Sequence, residues 1–312
     1  MGYSGSQREL RALIQSQLGR RPVSLRPDPV GASHAVYFVC CDDGFECVLR
    51  VARAPGSDDL LEQEVWAARQ CRSLGIPVPD ILAYEAAPRS FVAPYMIMAR
   101  LPGVPGHRAR LTAGERDSVL EQLGQYLALI HRIELPAFGW LRGHGATFAG
   151  RSPSWMEHVL AQYDREARKL PGDVLDPRRA AELRVRLERE REALAVDSAV
   201  LVHGDYHLKN VLVQQARVTG ILDFENLVAG DPVVDFSAVH FRSAEPAADL
   251  AAMQRGYGPS RLFEPDFMRK LYLYELTLAV AIMWWKWQFQ DQAGIAAMHS
   301  RLGSLEARLD GR

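Results

Sequence analysis

Between Leu201 and Glu225 the chain alternates short apolar runs with polar residues at fixed offsets, a pattern that few folds can satisfy. Leu201-Val202 and Val211-Leu212-Val213 have the length and β-branched content of buried strands. Val218 to Leu222 forms a third run, with Gln214 to Arg217 as the turn before it. His203-Gly204-Asp205-Tyr206-His207-Leu208-Lys209-Asn210 fills the first gap, and Asp223-Phe224-Glu225 follows the third run. Asn210 comes five residues after Asp205, and Asp223 eighteen after it. An antiparallel hairpin of the second and third runs would return Asp223 beside Asn210 and leave Asp205 on the preceding loop. Residues separated in sequence would then share one site.

A carboxylate beside an amide oxygen suits Mg2+, a hard cation that takes oxygen ligands and keeps several waters. Phosphoryl transfer from ATP or GTP needs such a cation at the phosphates and an acceptor hydroxyl in line with the γ-phosphorus. Protein kinases use the same arrangement: a catalytic-loop Asp, an Asn five residues on, and an Asp preceding Phe. The expected roles are Asp205 on the acceptor hydroxyl, Asn210 and Asp223 on Mg2+, and His203 supporting the loop. Asp and Asn are common in loops for turn reasons alone, so the signal lies in the three offsets together. His203, Asp205 and His207 also alternate like zinc ligands, which would suit a metallohydrolase. That reading needs further ligands at matching spacings, and His131, His144, His158 and His240 show no clustering.

Kinase chemistry also requires a loop over the phosphates, a cation on a strand, and a Glu on a helix to hold that cation. Val30-Gly31-Ala32-Ser33-His34-Ala35 precedes a strand-like run from Val36 to Cys40. Asp42-Asp43-Gly44 signals a hairpin turn, and Phe45 to Val51 returns as a second strand carrying Arg50. Asp59 with Glu62 three residues later has a capping-box pattern, and Gly75 then Pro77 mark the end of that helix. Leu61, Ala68 and Cys71 fall on one stripe of it with Glu64 in the middle, and a carboxylate on a buried face needs a partner. Arg50 is the expected one, through a bidentate pair. Pro94 to Met98 reads as another strand, ending in Ala99-Arg100-Leu101-Pro102-Gly103.

These residues resemble the aminoglycoside phosphotransferase and choline kinase family. HGDYHLKN with ILDFENLVAGDPVVD looks like its catalytic signature, VGASHAVYFV like its nucleotide-positioning loop, and MARLPG like its hinge between lobes. LEQEVWAARQCRSLGIPVPDIL, LGQYLALIHRI and FGWL extend the likeness over about residues 20 to 245. The resemblance implies an α+β, two-lobed protein-kinase-like fold. A small β-rich N-terminal lobe with one key helix, residues 1–100, would bind the nucleotide. A larger, mainly helical lobe, 101–312, would carry catalysis and the acceptor. It further implies Asp205 as catalytic base, Asn210 and Asp223 as Mg2+ ligands, and Arg50 with Glu64 as the phosphate-positioning pair. Ser33 and Ala35 would face the phosphates, and Met98, Ala99 and Leu101 would meet the purine. Arg50 stands where protein kinases carry Lys, so the charge is kept without the compact ammonium. Mg2+ and ATP or GTP are the implied cofactor and co-substrate. The expected acceptor is a hydroxyl of an aminoglycoside-type antibiotic. A metabolite kinase for choline, homoserine or a sugar-like alcohol is the alternative, and a non-catalytic kinase-like binding protein is the more distant one.

At 312 residues the chain has room for two lobes with their own cores. Apolar content of 48% and charged content of 24% are ordinary for a globular protein. A net charge of −1 offers no electrostatic case for nucleic acid or an acidic membrane as partner. Met1 to Leu18 has helical spacing without a signal-peptide core. Leu271 to Phe289, the most apolar stretch, is interrupted by Glu275 and Lys286, so a buried helix is expected rather than a membrane span. A cytoplasmic enzyme follows, monomeric or weakly dimeric, with Cys40, Cys41, Cys47 and Cys71 reduced and used for packing. Val119, Leu123, Tyr126 and Ile130 predict a core helix over 113–133, and Asp176-Pro177 opens another running to Leu194.

The acceptor pocket is less legible. Glu225, Glu264, Asp266, Glu275 and Asp291 are its candidate acids for a cationic acceptor. Met283-Trp284-Trp285-Lys286-Trp287-Gln288-Phe289 is read as core packing, with an aromatic pocket wall as the alternative.

Overall fold

The computed structural model describes residues 6–28, 34–53, 59–87 and 91–311. The loop residues Val30 to Ser33 and the Asp59 side chain of the capping box lie outside the described residues. A helix at Gln7–Leu18 (α1) leads into strands β1 (Pro22–Asp28), β2 (His34–Cys41) and β3 (Glu46–Ala52). Helix α2 (Asp59–Ser73) follows, then β4 (Ile81–Glu85), β5 (Tyr95–Ala99) and β6 (Val104–Pro105). Next come α3 (Ala113–Ile130), β7 (Glu134–Leu135), β8 (Phe138–His144), β9 (Thr147–Ser152), α4 (Trp155–Arg168) and α5 (Pro177–Arg189). Strands β10 (Ala199–Val202), β11 (Val211–Gln214), β12 (Arg217–Ile221) and β13 (Val228–Gly230) precede α6 (Val233–Arg242) and α7 (Pro246–Tyr257). Helices α8 (Phe267–Gln288) and α9 (Gln292–Leu309) close the chain.

The chain forms two compact units: residues 1–112, 143–147 and 208–225 make the first, and 113–142, 148–207 and 226–312 the second. This departs from the expected division at residue 100. The polypeptide reaches Thr112 before leaving the first unit, and the later segment with Asn210 and Asp223 folds back into it. The reason is hydrogen bonding. β11 pairs with β12 on one side and with β6 on the other, and the Ile221 N–H donates to the Pro77 carbonyl at 2.7 Å.

In the first unit, β1-β2-β3-β5-β4 form an antiparallel sheet. Strand alternation gives it two different faces. Cys47, Leu49 and Val51 of β3 and Tyr95 and Ile97 of β5 are buried in one core with Leu10, Leu13 and Ile14 of α1. Met96 turns to the other face, where it packs with Leu61 and Val65 of α2. Gly44 closes the β2–β3 hairpin at φ 81°, and Gly75 at φ 76° ends α2, so both expected turns fall where a left-handed backbone is needed.

In the second unit, β7-β10-β13-β8-β9 form a sheet that the helices α3 to α9 accompany. Val119, Leu123 and Ile130 are fully buried on α3, with Leu127 in place of the expected Tyr126, which is only partly buried. α5 begins as expected, Asp176 accepting from the Arg178 and Arg179 N–H groups, but it stops at Arg189 rather than Leu194. α8 is a buried helix over most of its length, and among the described residues no helix is long and apolar enough to cross a membrane. Its end departs from the expected core packing. Met283 is buried, Trp284 is partly buried, and Trp285, Trp287 and Phe289 are 48%, 36% and 74% exposed. Trp284, Trp285 and Trp287 fall within one turn and point in different directions around the axis, so they cannot all face a core that lies on one side of the helix.

Candidate active site

Alternation on β3 puts Val48 and Arg50 on the face opposite the α1 core, and α2 brings Glu64 to the same place. The Arg50 Nη1 donates to Glu64 Oε2 at 2.8 Å and Nη2 donates to Oε1, the expected bidentate pair. Burial works against the Arg50 charge, but the adjacent Glu64 carboxylate, with Asp223 and Glu225 behind it, holds the guanidinium more firmly protonated than usual. Arg50 Nε is buried with no hydrogen-bond partner among the described residues.

This pair borders a cavity of about 450 Å³ in the first unit. Val36, Val48, Ile81, Met96 and Met98 give it an apolar wall, and Asn210 and Asp223 stand with Arg50 and Glu64 on its polar side. The β11–β12 hairpin sets the last two: Val211 pairs with Ile221, and the Leu222 N–H donates to the Asn210 carbonyl at 2.8 Å. Asp223 then turns at φ 69°, a left-handed conformation uncommon outside Gly, Asn and Asp. Its donor set of amide and carboxylate oxygens suits a hard dication such as Mg2+.

The remaining expected nucleotide residues divide. Met98 lines the cavity, whereas Ala35 and Ala99 are strand neighbours of lining residues and alternate to the opposite face. The Ala99 N–H is also engaged by the Asp80 carbonyl at 2.8 Å, and Leu101 packs its Cδ1 over Gly220. Ser33 lies outside the described residues. Glu225, read from the sequence as an acceptor-pocket acid, instead lines this cavity, two residues after Asp223. Burial and the neighbouring Asp223 and Glu64 push its carboxyl up to about 7, and His34 Nδ1 lies 3.8 Å from its Oε2.

Asp205 belongs to the second unit, on a loop that Asp235 holds by its backbone. Asp235 Oδ2 accepts from the His203 N–H at 2.9 Å and Oδ1 from the Gly204 N–H at 2.8 Å, while His131 Nε2 lies 3.1 Å from Oδ2. Gly204 sits at φ 79°, and a Cβ there would come within 2.1 Å of the Asn226 carbonyl oxygen, so only glycine fits. Tyr206 donates to the Leu123 carbonyl at 2.9 Å and anchors the loop to α3. His203 is spent on the loop, its ring packing on Tyr206 and its Nδ1 facing the Asp205 N–H. His207 is buried as well, and among the described residues no group of three or more His, Cys, Asp or Glu side chains is placed to hold a metal ion, as the zinc reading would require.

Two partners of Asp205 were not legible in the sequence. Arg242 Nη2 donates to Oδ1 at 2.9 Å and His207 Nε2 lies 3.0 Å from the same oxygen. Burial alone would raise the Asp205 pKa, but His207 and Arg242 outweigh it and hold the carboxyl well below the usual carboxylate range. Two of the other acids named for a cationic acceptor are engaged: Glu275 is fully buried between His240 and Arg301, and Asp291 caps α9 and pairs with Lys286.

The model of the phosphotransferase enzyme family matches residues 24–271. The chain belongs to this family of phosphotransferase enzymes. A viomycin phosphotransferase of Streptomyces vinaceus is 26% identical over 194 residues, 60% of this chain and 62% of that protein. The chain thus matches under two thirds of that relative's length. The structure is similar to that of the aminoglycoside phosphotransferase APH(4)-Ia in ternary complex with AMP-PNP and hygromycin B. Identity is 20%, the TM-score is 0.71, and 95% of this chain and 97% of that one are covered. A Thermobifida fusca chain designated a fructosamine-3-kinase has a TM-score of 0.71 at 18% identity, covering 98% of this chain and all of its own. At these identities the likeness is one of fold, the mixed α+β fold of kinase-like phosphotransferases, with a β-sheet N-terminal region and a mainly helical remainder.

Proposed function

We propose that the protein transfers the γ-phosphoryl group of ATP or GTP to a hydroxyl of a small molecule. The observation that carries this reading is one cavity lined by the Arg50–Glu64 pair, Asn210 and Asp223, with an apolar wall that includes Met98. Such a wall suits a purine, and an ion-paired guanidinium with an uncommitted Nε suits its phosphates. Asn210 and Asp223 would hold Mg2+, which would neutralise charge on the phosphate oxygens. Asp205, kept ionised by Arg242 and His207, accepts the proton of the attacking hydroxyl. The hydroxyl oxygen forms its bond to the γ-phosphorus as the bond to the bridging β–γ oxygen breaks, and the nucleoside diphosphate leaves.

The first candidate acceptor is an antibiotic of the aminoglycoside type, a reading supported by the viomycin phosphotransferase relative and the hygromycin B complex of APH(4)-Ia. A metabolite alcohol is the second, supported by the fructosamine-3-kinase neighbour. We further propose a cytoplasmic enzyme, monomeric or weakly dimeric, without nucleic-acid or membrane partners. The test is release of ADP or GDP over a panel of aminoglycosides, peptide antibiotics, sugars and amino alcohols, with and without EDTA. Acceptor-dependent release that requires Mg2+ and disappears in Asp205→Asn is expected. Release that survives either treatment would overturn the assignment.

A further inference from the structure

Helix α2 borders two cavities. Glu64 and Ala68 line the one that also holds Arg50 and Asp223. On the reverse of the helix, Glu62, Val65, Trp66, Arg69 and Gln70 line a second cavity of about 310 Å³. These five recur at i, i+3, i+4, i+7 and i+8, the spacing of a single helical stripe. Tyr84 of β4 and the β8–β9 turn at His144 complete the wall, and all of these residues belong to the first unit. A volume of this size is that of a small-molecule site.

The two ends of the cavity differ in polarity. Val65 and Trp66, 1% and 8% exposed, give it an apolar floor midway along the stripe. At one end stands the Glu62 carboxylate, whose Oε2 lies 2.6 Å from His144 Nδ1, so this end accepts hydrogen bonds. At the other end the Arg69 guanidinium lies 5.5 Å from the centre of the Tyr84 ring. Stacking uses a face of the guanidinium and leaves its N–H edges to donate. Arg69 has no acid partner among the described residues, and the Gln70 side-chain amide beside it makes no hydrogen bond among them. Seven residues separate Glu62 from Arg69, about 10 Å along the axis. A ligand complementary to this cavity is therefore elongated, anionic at one end, apolar in the middle and a donor at the other end.

We propose that this cavity is an effector site for an aromatic carboxylate. The carboxylate sits on Arg69 and Gln70, the ring lies on Val65 and Trp66, and a hydroxyl or amine at the far end donates to Glu62. Neither the nucleotide nor the acceptor occupies it. The same helix carries Glu64 on its opposite face, so a ligand that packs α2 against Tyr84 and the β8–β9 turn also holds Glu64 against Arg50 and favours nucleotide binding. Such coupling is reciprocal, and bound nucleotide tightens the effector by the same factor. This coupling rests on the phosphotransferase reading, since it needs a nucleotide in the first cavity.

The test titrates the full chain with 4-(4-hydroxyphenyl)butanoate at neutral pH by isothermal calorimetry. The acid should bind, and 4-(4-hydroxyphenyl)butanamide, of the same shape without the charge, should bind about tenfold more weakly. Arg69→Gln, at an exposed helix position, should weaken the acid about tenfold and leave the amide and the nucleotide affinity of the free protein unchanged. Saturating acid should tighten binding of AMP-PNP or GMP-PNP with Mg2+ about fivefold or more. No binding of the acid, equal binding of acid and amide, an affinity indifferent to Arg69→Gln, or a nucleotide affinity unmoved by the acid would overturn the proposal. If neither nucleotide analogue binds, the phosphotransferase reading fails instead, while the titrations without nucleotide still decide what the cavity takes.

Discussion

Arg242 at the end of α6 donates to Asp205 Oδ1 across 2.9 Å, the same oxygen that His207 approaches at 3.0 Å. Two potential cations on one carboxylate oxygen leave Asp205 ionised far into the acid range. As the proposed base, Asp205 is weak but always available, and it can be tuned by either neighbour. Arg242→Gln removes one positive charge, so the Asp205 pKa must rise. The acid limb of the pH profile of kcat/KM is expected to move to higher pH, and an unmoved limb would separate Arg242 from the base. Asp205→Asn should lower turnover by about 10²–10⁴-fold with little change in nucleotide affinity.

The Arg50–Glu64 pair joins β3 to α2, and both side chains are nearly inaccessible. Glu64→Ala leaves a guanidinium buried without its main counter-ion. The expected cost is about 3–5 kcal/mol of stability, read by chemical denaturation, together with weaker nucleotide binding. Arg50→Lys keeps the charge but loses the two-pronged geometry, so it should weaken nucleotide binding more than it destabilises the fold.

Asp223 occupies a left-handed backbone at φ 69°, which Asn tolerates and β-branched residues do not. Asp223→Asn therefore tests charge with the backbone held. It should leave the melting temperature nearly unchanged and raise the Mg2+ concentration needed for half-maximal turnover. Asp223→Val should additionally destabilise the first unit, by about 1–2 kcal/mol from the backbone strain.

His158 is 2% exposed beside Trp155, and its Nε2 has no partner among the described residues. Burial, aided by Arg165, lowers its pKa to about 4 from an ordinary value of 6.5. Below pH 6.5 the unfolded chain gains a proton that the folded chain refuses, so stability falls as pH falls and levels off below 4. The loss from this residue reaches about 3 kcal/mol by pH 4. His158→Leu should flatten the stability profile over that window, as measured by urea denaturation at pH 7, 5 and 4.

Much of the first unit was legible because its signals are local. The β2–β3 hairpin follows from Asp42-Asp43-Gly44, and Arg50 and Glu64 were paired because a carboxylate on an apolar helix stripe demands a cation. The β11–β12 hairpin followed from two apolar runs separated by a turn, and it returned Asp223 next to Asn210. What failed was anything decided at long range. Glu225 was named among the acceptor acids, and only the fold places it on the cavity wall with Arg50 and Asp223, because sequence spacing does not say which face of a short turn points inward. The Trp284 to Phe289 run was read as core because composition counts rings without locating the surface.

The sequence alone determined the chemistry, since phosphoryl transfer depends on residue types at fixed offsets that a hairpin preserves wherever it is placed. Only the tertiary structure decided the setting of that chemistry. Arg242 reaches Asp205 from 37 residues away, and Asp235 ties down the loop by its backbone. Each of these depends on how separate helices pack, and packing brings together residues whose separation along the chain carries no record of the contact.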